Sequence, residues 1–232
     1  MLKLEGVVIR NGAFAVTADF EVADGAKVAV IGPSGAGKTT LIEGIAGFLA
    51  VERGRILWDG RDITAEPPGR RPVAMLFQDG NLFPHLTVAQ NVGLGIRPDL
   101  KLDADQRARV ARAIARVGLA GLEVRKPAEL SGGQQSRAAL ARVLVQGRPL
   151  VLLDEPFAAL GPALKAEMLD LVAGLVAETG ATLMMVSHDP GDARRIADQV
   201  VLVAEGRAHP PQETTALLDA PPPVLQDYLG TA

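Results

Sequence analysis

The sequence predicts an α/β fold built on a mainly parallel sheet and interrupted by a helical insertion. Short apolar runs, separated by helical patterns, suit strands that are buried on both faces. Between Phe77 and Leu150 the pattern turns wholly helical, which marks the insertion. The 232 residues are 48% hydrophobic, enough for one sizeable core with a smaller subdomain packed against it. Aromatic residues make up only 3%, so small and branched aliphatic side chains must fill that core.

From the N-terminus, Phe14 to Val22 alternates strictly, with Phe14, Val16, Ala18, Phe20 and Val22 on one side, as a half-buried strand does. This parity assigns Phe14 to the core face. Asp24-Gly25 turns the chain into the apolar run Lys27 to Ile31, which meets a glycine-rich loop and then a helix opening near Lys38. Further buried strands are expected at Val73 to Phe77, Leu150 to Leu153, Thr182 to Val186 and Val200 to Val203. In the insertion the clearest helix is Asp103 to Val117, with Val110, Ile114 and Val117 at helical spacing. Its arginines at 107, 109, 112 and 116 read as an ordinary solvated face. Pro221 to Pro223 breaks the chain close to its end.

Composition excludes several roles. A formal net charge of −3 lacks the basic excess that nucleic-acid binding needs, so no nucleic-acid partner is expected. With no cysteine there is no disulfide or thiolate chemistry, and the cytoplasm is the default compartment. The first ten residues hold too short an apolar run for a secretory signal, and no stretch approaches the ~18 apolar residues of a membrane span. Any membrane role is therefore expected to run through another subunit.

The chemistry is concentrated in a few segments. Gly32, Pro33, Ser34, Gly35, Ala36, Gly37, Lys38 and Thr39, followed by Thr40, fit the phosphate-binding pattern G-x-x-x-x-G-K-[ST] between a strand and a helix. Glycines let backbone N–H groups curl around phosphate oxygens, Lys38 reaches the β- and γ-phosphates, and the Thr39 hydroxyl ligates Mg²⁺. Asp154 and Glu155 end a buried strand, so that Asp154 serves the Mg²⁺ shell while Glu155 faces a water molecule as general base. His188 and Gln78 each follow a strand on the same expected sheet edge. His188 is placed to hold the γ-phosphate and the attacking water, and Gln78 to reach the Mg²⁺ or that water. In LSGGQQSR, Ser131 precedes Gly132, Gly133 and Gln134 at a helix N-terminus, a second anion-binding site. Two phosphate sites in one chain are both used only if a partner chain closes head-to-tail.

In this order, GPSGAGKT, Gln78, LSGGQQSR, LLDEP and His188 resemble the ATP-binding-cassette family over nearly the whole chain. The resemblance implies a P-loop NTPase core with a mainly parallel sheet, an N-terminal antiparallel β subdomain and an inserted helical subdomain. It implies a single domain over 1–232, with 1–84 and 148–232 forming the core and β parts and 85–147 the helical part. It further implies an ATPase using ATP and Mg²⁺, with Ser131, Gly132, Gly133 and Gln134 acting on the nucleotide of the other copy in a head-to-tail homodimer.

The run Pro67 to Leu102, containing RRPVAMLFQDGNLFPHLTVAQNVGLG, is similar to the ATPase subunits of bacterial thiamine importers. That similarity implies a permease partner docked near Gln78, Leu82, Phe83 and Leu86, an indirect periplasmic substrate-binding protein, and a peripheral position on the cytoplasmic face of the inner membrane. An importer for another small solute, or a nucleotide switch that works without a permease, are the other readings. Two positions depart from the family pattern: Asn11 stands where an aromatic ring usually stacks on adenine, and Gly161 stands where an aspartate usually meets the partner chain.

Overall fold

The computed structural model describes residues 1–78, 80 and 82–229, with side chains as far as 226. Strands β1 (Leu2–Asn11) and β2 (Phe14–Val22) pair as a hairpin whose turn is made by Gly12 at φ 59°. β3 (Lys27–Ile31) then enters the glycine-rich loop and α1 (Lys38–Ala46). β4 (Val51–Trp58) returns antiparallel to β1, and β5 (Arg61–Asp62) pairs with β4. β6 (Val73–Leu76) leads into the helices α2 (Val88–Gly93), α3 (Ala104–Arg116) and α4 (Gly132–Leu144). The α/β alternation resumes with β7 (Leu150–Asp154), α5 (Pro162–Thr179), β8 (Thr182–Val186), α6 (Pro190–Ile196) and β9 (Gln199–Ala204). β10 (Arg207–Ala208), β11 (Gln212–Glu213), α7 (Thr214–Asp219) and α8 (Pro223–Leu229) follow.

The strands run in the order β5-β4-β1-β2-β10-β9-β3-β8-β7-β6, with β11 paired to β9. Strands β9, β3, β8, β7 and β6 are mutually parallel, so their carboxyl ends share one edge. Short β10 is antiparallel to β9 and parallel to β2, and it joins the antiparallel lobe to the parallel sheet.

The parallel strands are apolar apart from residues at their ends because alternate residues serve two different cores. Val151, Leu153, Leu183 and Met185 pack with α4 and α5 side chains such as Leu140 and Val172. Leu150, Leu152, Met184 and Val186 pack on the other face with Leu41, Ile42 and Ile45 of α1 and with the β1–β2 lobe. Each fully buried aliphatic side chain contributes about 1.5–3 kcal/mol relative to exposure. Below the edge, Ala29 and Ile31 meet Ala193, Leu217 and Leu225.

Helix α3 starts at Asp103, whose side chain accepts from the Gln106 N–H at 2.8 Å while the Gln106 side chain accepts from the Asp103 N–H at 3.1 Å. Val110, Ile114 and Val117 are buried beneath it. On its polar face Arg109 donates to the Val145 carbonyl, Arg107 to Leu102, and Arg116 pairs with Glu178. Three of the four arginines thus have local intramolecular uses.

Two expectations need revision. Phe14 has the parity of the core face but lies one residue beyond the covered region, where it is 37% exposed over the glycine-rich loop. The break expected over Pro221 to Pro223 is narrower: Pro221 and Pro222 separate α7 from α8, while Pro223 opens α8, since proline suits the first turn of a helix, and Leu225 is buried from it. Among the described residues, no helix is long and apolar enough to cross a membrane.

Candidate functional site

The loop from Gly32 to Gly37 sits at the carboxyl end of β3 and can be made only with glycine at two positions. Gly32 has φ 147°, and a Cβ there would lie 1.9 Å from the Val203 carbonyl oxygen. Gly37 has φ 105°, and a Cβ would strike Val16 Cγ2 at 2.2 Å and Phe14 Cε1 at 2.7 Å. Gly37 is also the N-cap of α1 and supplies no side-chain cap, which leaves the first-turn amides aimed at the loop. Lys38 folds back across the loop, with Nζ donating to the carbonyls of Gly32 at 2.8 Å and Pro33 at 2.9 Å. Burial holds its pKa below the ordinary lysine value, opposed by the nearby charges of Glu155 and Asp154.

Beneath the loop, the Thr39 hydroxyl donates to Asp154 Oδ1 at 3.2 Å. Burial pushes the Asp154 carboxyl up from 3.8 to about 6, the Thr39 hydrogen bond pulls it down, and the Glu155 charge adds to the rise. Glu155 follows in a left-handed conformation, φ 44°, with its N–H donating to the Val186 carbonyl at 3.2 Å. Such a backbone is costly for a residue with a side chain and persists where the surroundings enforce it, here to turn the carboxylate out of the strand. The Glu155 carboxylate meets His188 Nε2. Residues from five segments therefore line one cavity of about 350 Å³: Phe14; Ser34, Gly35, Gly37, Lys38, Thr39 and Thr40; Gln78; Glu155; and His188. Pro33 and Ala36 face an adjoining hollow that also touches Phe14 and Val224.

The second predicted phosphate site lies elsewhere. Ser131 is the N-cap of α4: its hydroxyl accepts from the Gln134 N–H at 3.3 Å, and Gln134 Oε1 accepts from the Ser131 N–H at 3.0 Å. Ser131 and Gly132 are exposed, while Gly133 is buried against Leu164. Gly132 borders a different cleft, of about 710 Å³, which shares Gln78 with the loop cavity and is also lined by Leu82, Pro84, Gln135 and Leu160. Within one chain, then, Lys38, Thr39, Gln78, Asp154, Glu155 and His188 gather at one edge, and the Ser131–Gln134 turn stands apart from them.

A model of the ABC transporter family matches residues 16–158. The chain belongs to the ABC transporter family. Among curated relatives of this ABC chain, the thiamine import ATP-binding protein ThiQ of Ruegeria sp. (strain TM1040) is 67% identical, the match spanning 99% of this chain and all of the relative. The protein of the same name from Cereibacter sphaeroides is 62% identical over 99% of this chain and all of its own length. That from Yersinia pseudotuberculosis is 51% identical over 94% of this chain and 93% of its own. Among solved structures, a dimeric post-hydrolysis state of the ATP-binding cassette MJ0796 bound to ADP and Pi superposes with a TM-score of 0.79 at 26% identity, covering 92% of this chain and 99% of that one.

Sequence reasoning missed several residues of this ABC chain's site. Phe14 was assigned to the core by alternation alone, whereas its ring closes one side of the loop cavity. Its signal was its place as the first residue of β2, next to a turn. Arg71, only 2% exposed, donates to the carbonyls of Gly44 and Ile45 at the end of α1 and to those of Thr64 and Glu66. It secures the helix that carries Lys38 and Thr39, and its partners are too far apart in sequence to be read there. Arg142 of α4 donates to the Gly80 carbonyl at 2.7 Å, tying the Ser131 helix to the segment after Gln78.

Proposed function

We propose that this chain is the MgATP-hydrolysing subunit of a thiamine importer, working as a head-to-tail pair beneath a membrane permease. One observation carries the catalytic part: Lys38, Thr39, Gln78, Glu155 and His188 converge on a cavity of about 350 Å³ with Asp154 just below it. The substrate follows from full-length relatives that are themselves named thiamine import ATP-binding proteins.

Backbone amides of Gly35, Gly37, Lys38, Thr39 and Thr40 hold the phosphates, and Lys38 turns from its loop carbonyls toward the β- and γ-oxygens. Glu155 takes a proton from the water that attacks the γ-phosphorus, while the bond from that phosphorus to the ADP oxygen breaks and ADP leaves. His188 holds a γ-phosphate oxygen and the water, and Gln78 contacts the water from the other side. Thr39 and Asp154 offer hard oxygen donors 3.2 Å apart, with Gln78 on the rim, and the buried carboxylate is relieved by a cation beside it. Bound there, Mg²⁺ neutralises charge on the β- and γ-phosphate oxygens. Phe14 serves as the adenine platform in place of Asn11.

Ser131, Gly132, Gly133 and Gln134 act on the partner's nucleotide, which their distance from this chain's own cavity supports. Helical segment 85–147 carries them as a unit. The permease docks at the cleft between that segment and the sheet, which Leu82 and Pro84 line and beside which Phe83 is 47% exposed. This arrangement puts the chain on the cytoplasmic face of the inner membrane, with the periplasmic substrate-binding protein reached only through the permease.

Two experiments test the reading. Glu155→Gln keeps ATP binding and removes the base, so an ATP-dependent dimer should accumulate on a sizing column; a monomer at saturating MgATP would refute the trans arrangement. Cells carrying Glu155→Gln at native expression should lose uptake of labelled thiamine. Retained uptake, in cells lacking any other thiamine importer, would remove the substrate assignment and leave the nucleotide chemistry intact.

A further inference from the structure

Behind the Glu155–His188 pair lies a second, more enclosed cavity of about 250 Å³, bordered by Phe157, Leu169 and Met185 and by one cation, Lys165. Lys165 belongs to the first turn of α5, where its own N–H donates to the Gly161 carbonyl at 2.9 Å. A lysine at this end of a helix opposes the helix dipole, so its charge needs compensation from elsewhere. The compensation comes from the segment around His188. Lys165 Nζ lies 2.9 Å from Asp189 Oδ2 and 2.8 Å from Asp192 Oδ1. The Lys165 side chain is 20% exposed and that of Asp192 only 10%, so this pairing is shielded from water more than a surface ion pair.

The same two carboxylates fix the loop on both sides of His188. Asp192 Oδ2 accepts from the Ser187 hydroxyl at 2.5 Å, and the Asp189 N–H donates to Ser187 Oγ at 3.1 Å. Asp189 Oδ1 caps α6 by accepting from the Gly191 N–H at 2.8 Å. Ser187, Asp189 and Asp192 are thus anchored directly or through one another to Lys165, and the only residue between the first two is His188. The imidazole is 45% exposed and meets Glu155, and the backbone of 187–189 sets where it starts.

We propose that Lys165 is a positioning residue for hydrolysis, holding the His188 loop against α5 so that the imidazole stays registered with Glu155 and the γ-phosphate. It does not line the nucleotide cavity and acts through the His188 loop. Its backbone N–H also holds the Gly161 carbonyl, so the turn at 161 and the loop that carries His188 are both tied to one residue of α5, the first through its amide and the second through its ammonium. The proposal rests on the role given above to His188, and the test separates the two.

MgATP hydrolysis and fluorescent-nucleotide binding are measured for the native chain, Lys165→Met, Lys165→Arg, Asp192→Asn and His188→Ala. Lys165→Met should lower kcat roughly tenfold or more, the scale on which small misplacements act, while nucleotide affinity stays within about twofold. Lys165→Arg, which keeps a cation able to reach both carboxylates, should recover most of the rate, a rescue that a merely structural loss would not show. If Lys165→Met does not fold, Asp192→Asn carries the same test, since it removes one arm of the pairing at nearly unchanged volume. Native kcat in a folded Lys165→Met or Asp192→Asn, together with a slow His188→Ala, would overturn the positioning role alone. Native kcat in His188→Ala would overturn the role of His188 and the proposal with it.

Discussion

Asp154 offers the most direct test of the site's electrostatics, because its burial is a cost that can be read as stability. Its carboxyl is raised from 3.8 to about 6 in the folded chain, so between these values the folded state holds more protons than the unfolded one. Stability then falls as pH rises through the window and is level above it. The whole shift corresponds to about 3 kcal/mol, of which somewhat under half, about 1 kcal/mol, is lost between about pH 5 and about pH 7. Asp154→Asn replaces the carboxylate with a neutral group of the same shape that can still accept from Thr39. The variant should therefore lack this part of the pH dependence and be about 1–3 kcal/mol more stable near pH 7, while losing MgATP hydrolysis. Urea unfolding of both proteins in chelator, without nucleotide, measures it, and taking the difference between them cancels every other titrating group. A difference that stays constant from about pH 5 to about pH 8, or a variant less stable at neutral pH, would refute the account. Added Mg²⁺ should narrow the difference near neutrality, because a cation beside the carboxylate stabilises the native protein alone.

Other perturbations follow from the same geometry. Phe14→Ala removes the ring beside the loop cavity and should weaken ATP binding by about 5- to 100-fold, the equivalent of about 1–3 kcal/mol of base stacking, with Phe14→Trp retaining affinity in fluorescent-nucleotide titrations. Gly161→Asp introduces a side-chain N-cap for α5 at a φ of −65° with no atom within 4 Å of the new Cβ. It should add about a few tenths of a kcal/mol to the unfolding free energy of the nucleotide-free chain, read from the urea midpoint, because glycine is itself a tolerated N-cap. Arg71→Met strands the buried carbonyls of Gly44, Ile45, Thr64 and Glu66 and should cost about 3–5 kcal/mol, with loss of ATP binding before global unfolding in a thermal series.

Much of the parallel sheet was legible because its chemistry is local. The run Thr182–Val186 is buried along its whole length since both faces are covered, and its limits in the structure match those read from the sequence, while the runs at 73, 150 and 200 differ by one residue at one or both ends. Asp103 and Gln106 announce α3 through a capping box that needs only four consecutive residues. The β1 and β4 strands were harder, since glycines at positions 6 and 54 and charged residues on the open face interrupt the alternation. Phe14 shows the limit of parity: period two gives the side of a strand, and only the structure gives where coverage of that side ends.

The candidate site divides the same way. Gly32 to Thr39 and Asp154–Glu155 were readable because a phosphate loop and a pair of acids at a strand end carry their meaning in adjacent residues. What holds those groups in place was not readable, since Arg71 works on α1 from 26 and 27 residues away and Lys165 meets Asp189 across 24. Nothing in the residues beside Lys165 marks it out, and a lysine on a long helix ordinarily faces solvent. The distinction bears on function. The groups gathered around the loop cavity are specified by local sequence, whereas their placement depends on contacts between α5, α6 and the loops before them. Gly161 and Lys165 lie in that second class, four residues apart on the same turn. The Lys165 amide holds the Gly161 carbonyl while its ammonium holds Asp189 and Asp192, so the turn at 161 is linked to the His188 loop through backbone and charge, without a polar side chain at 161.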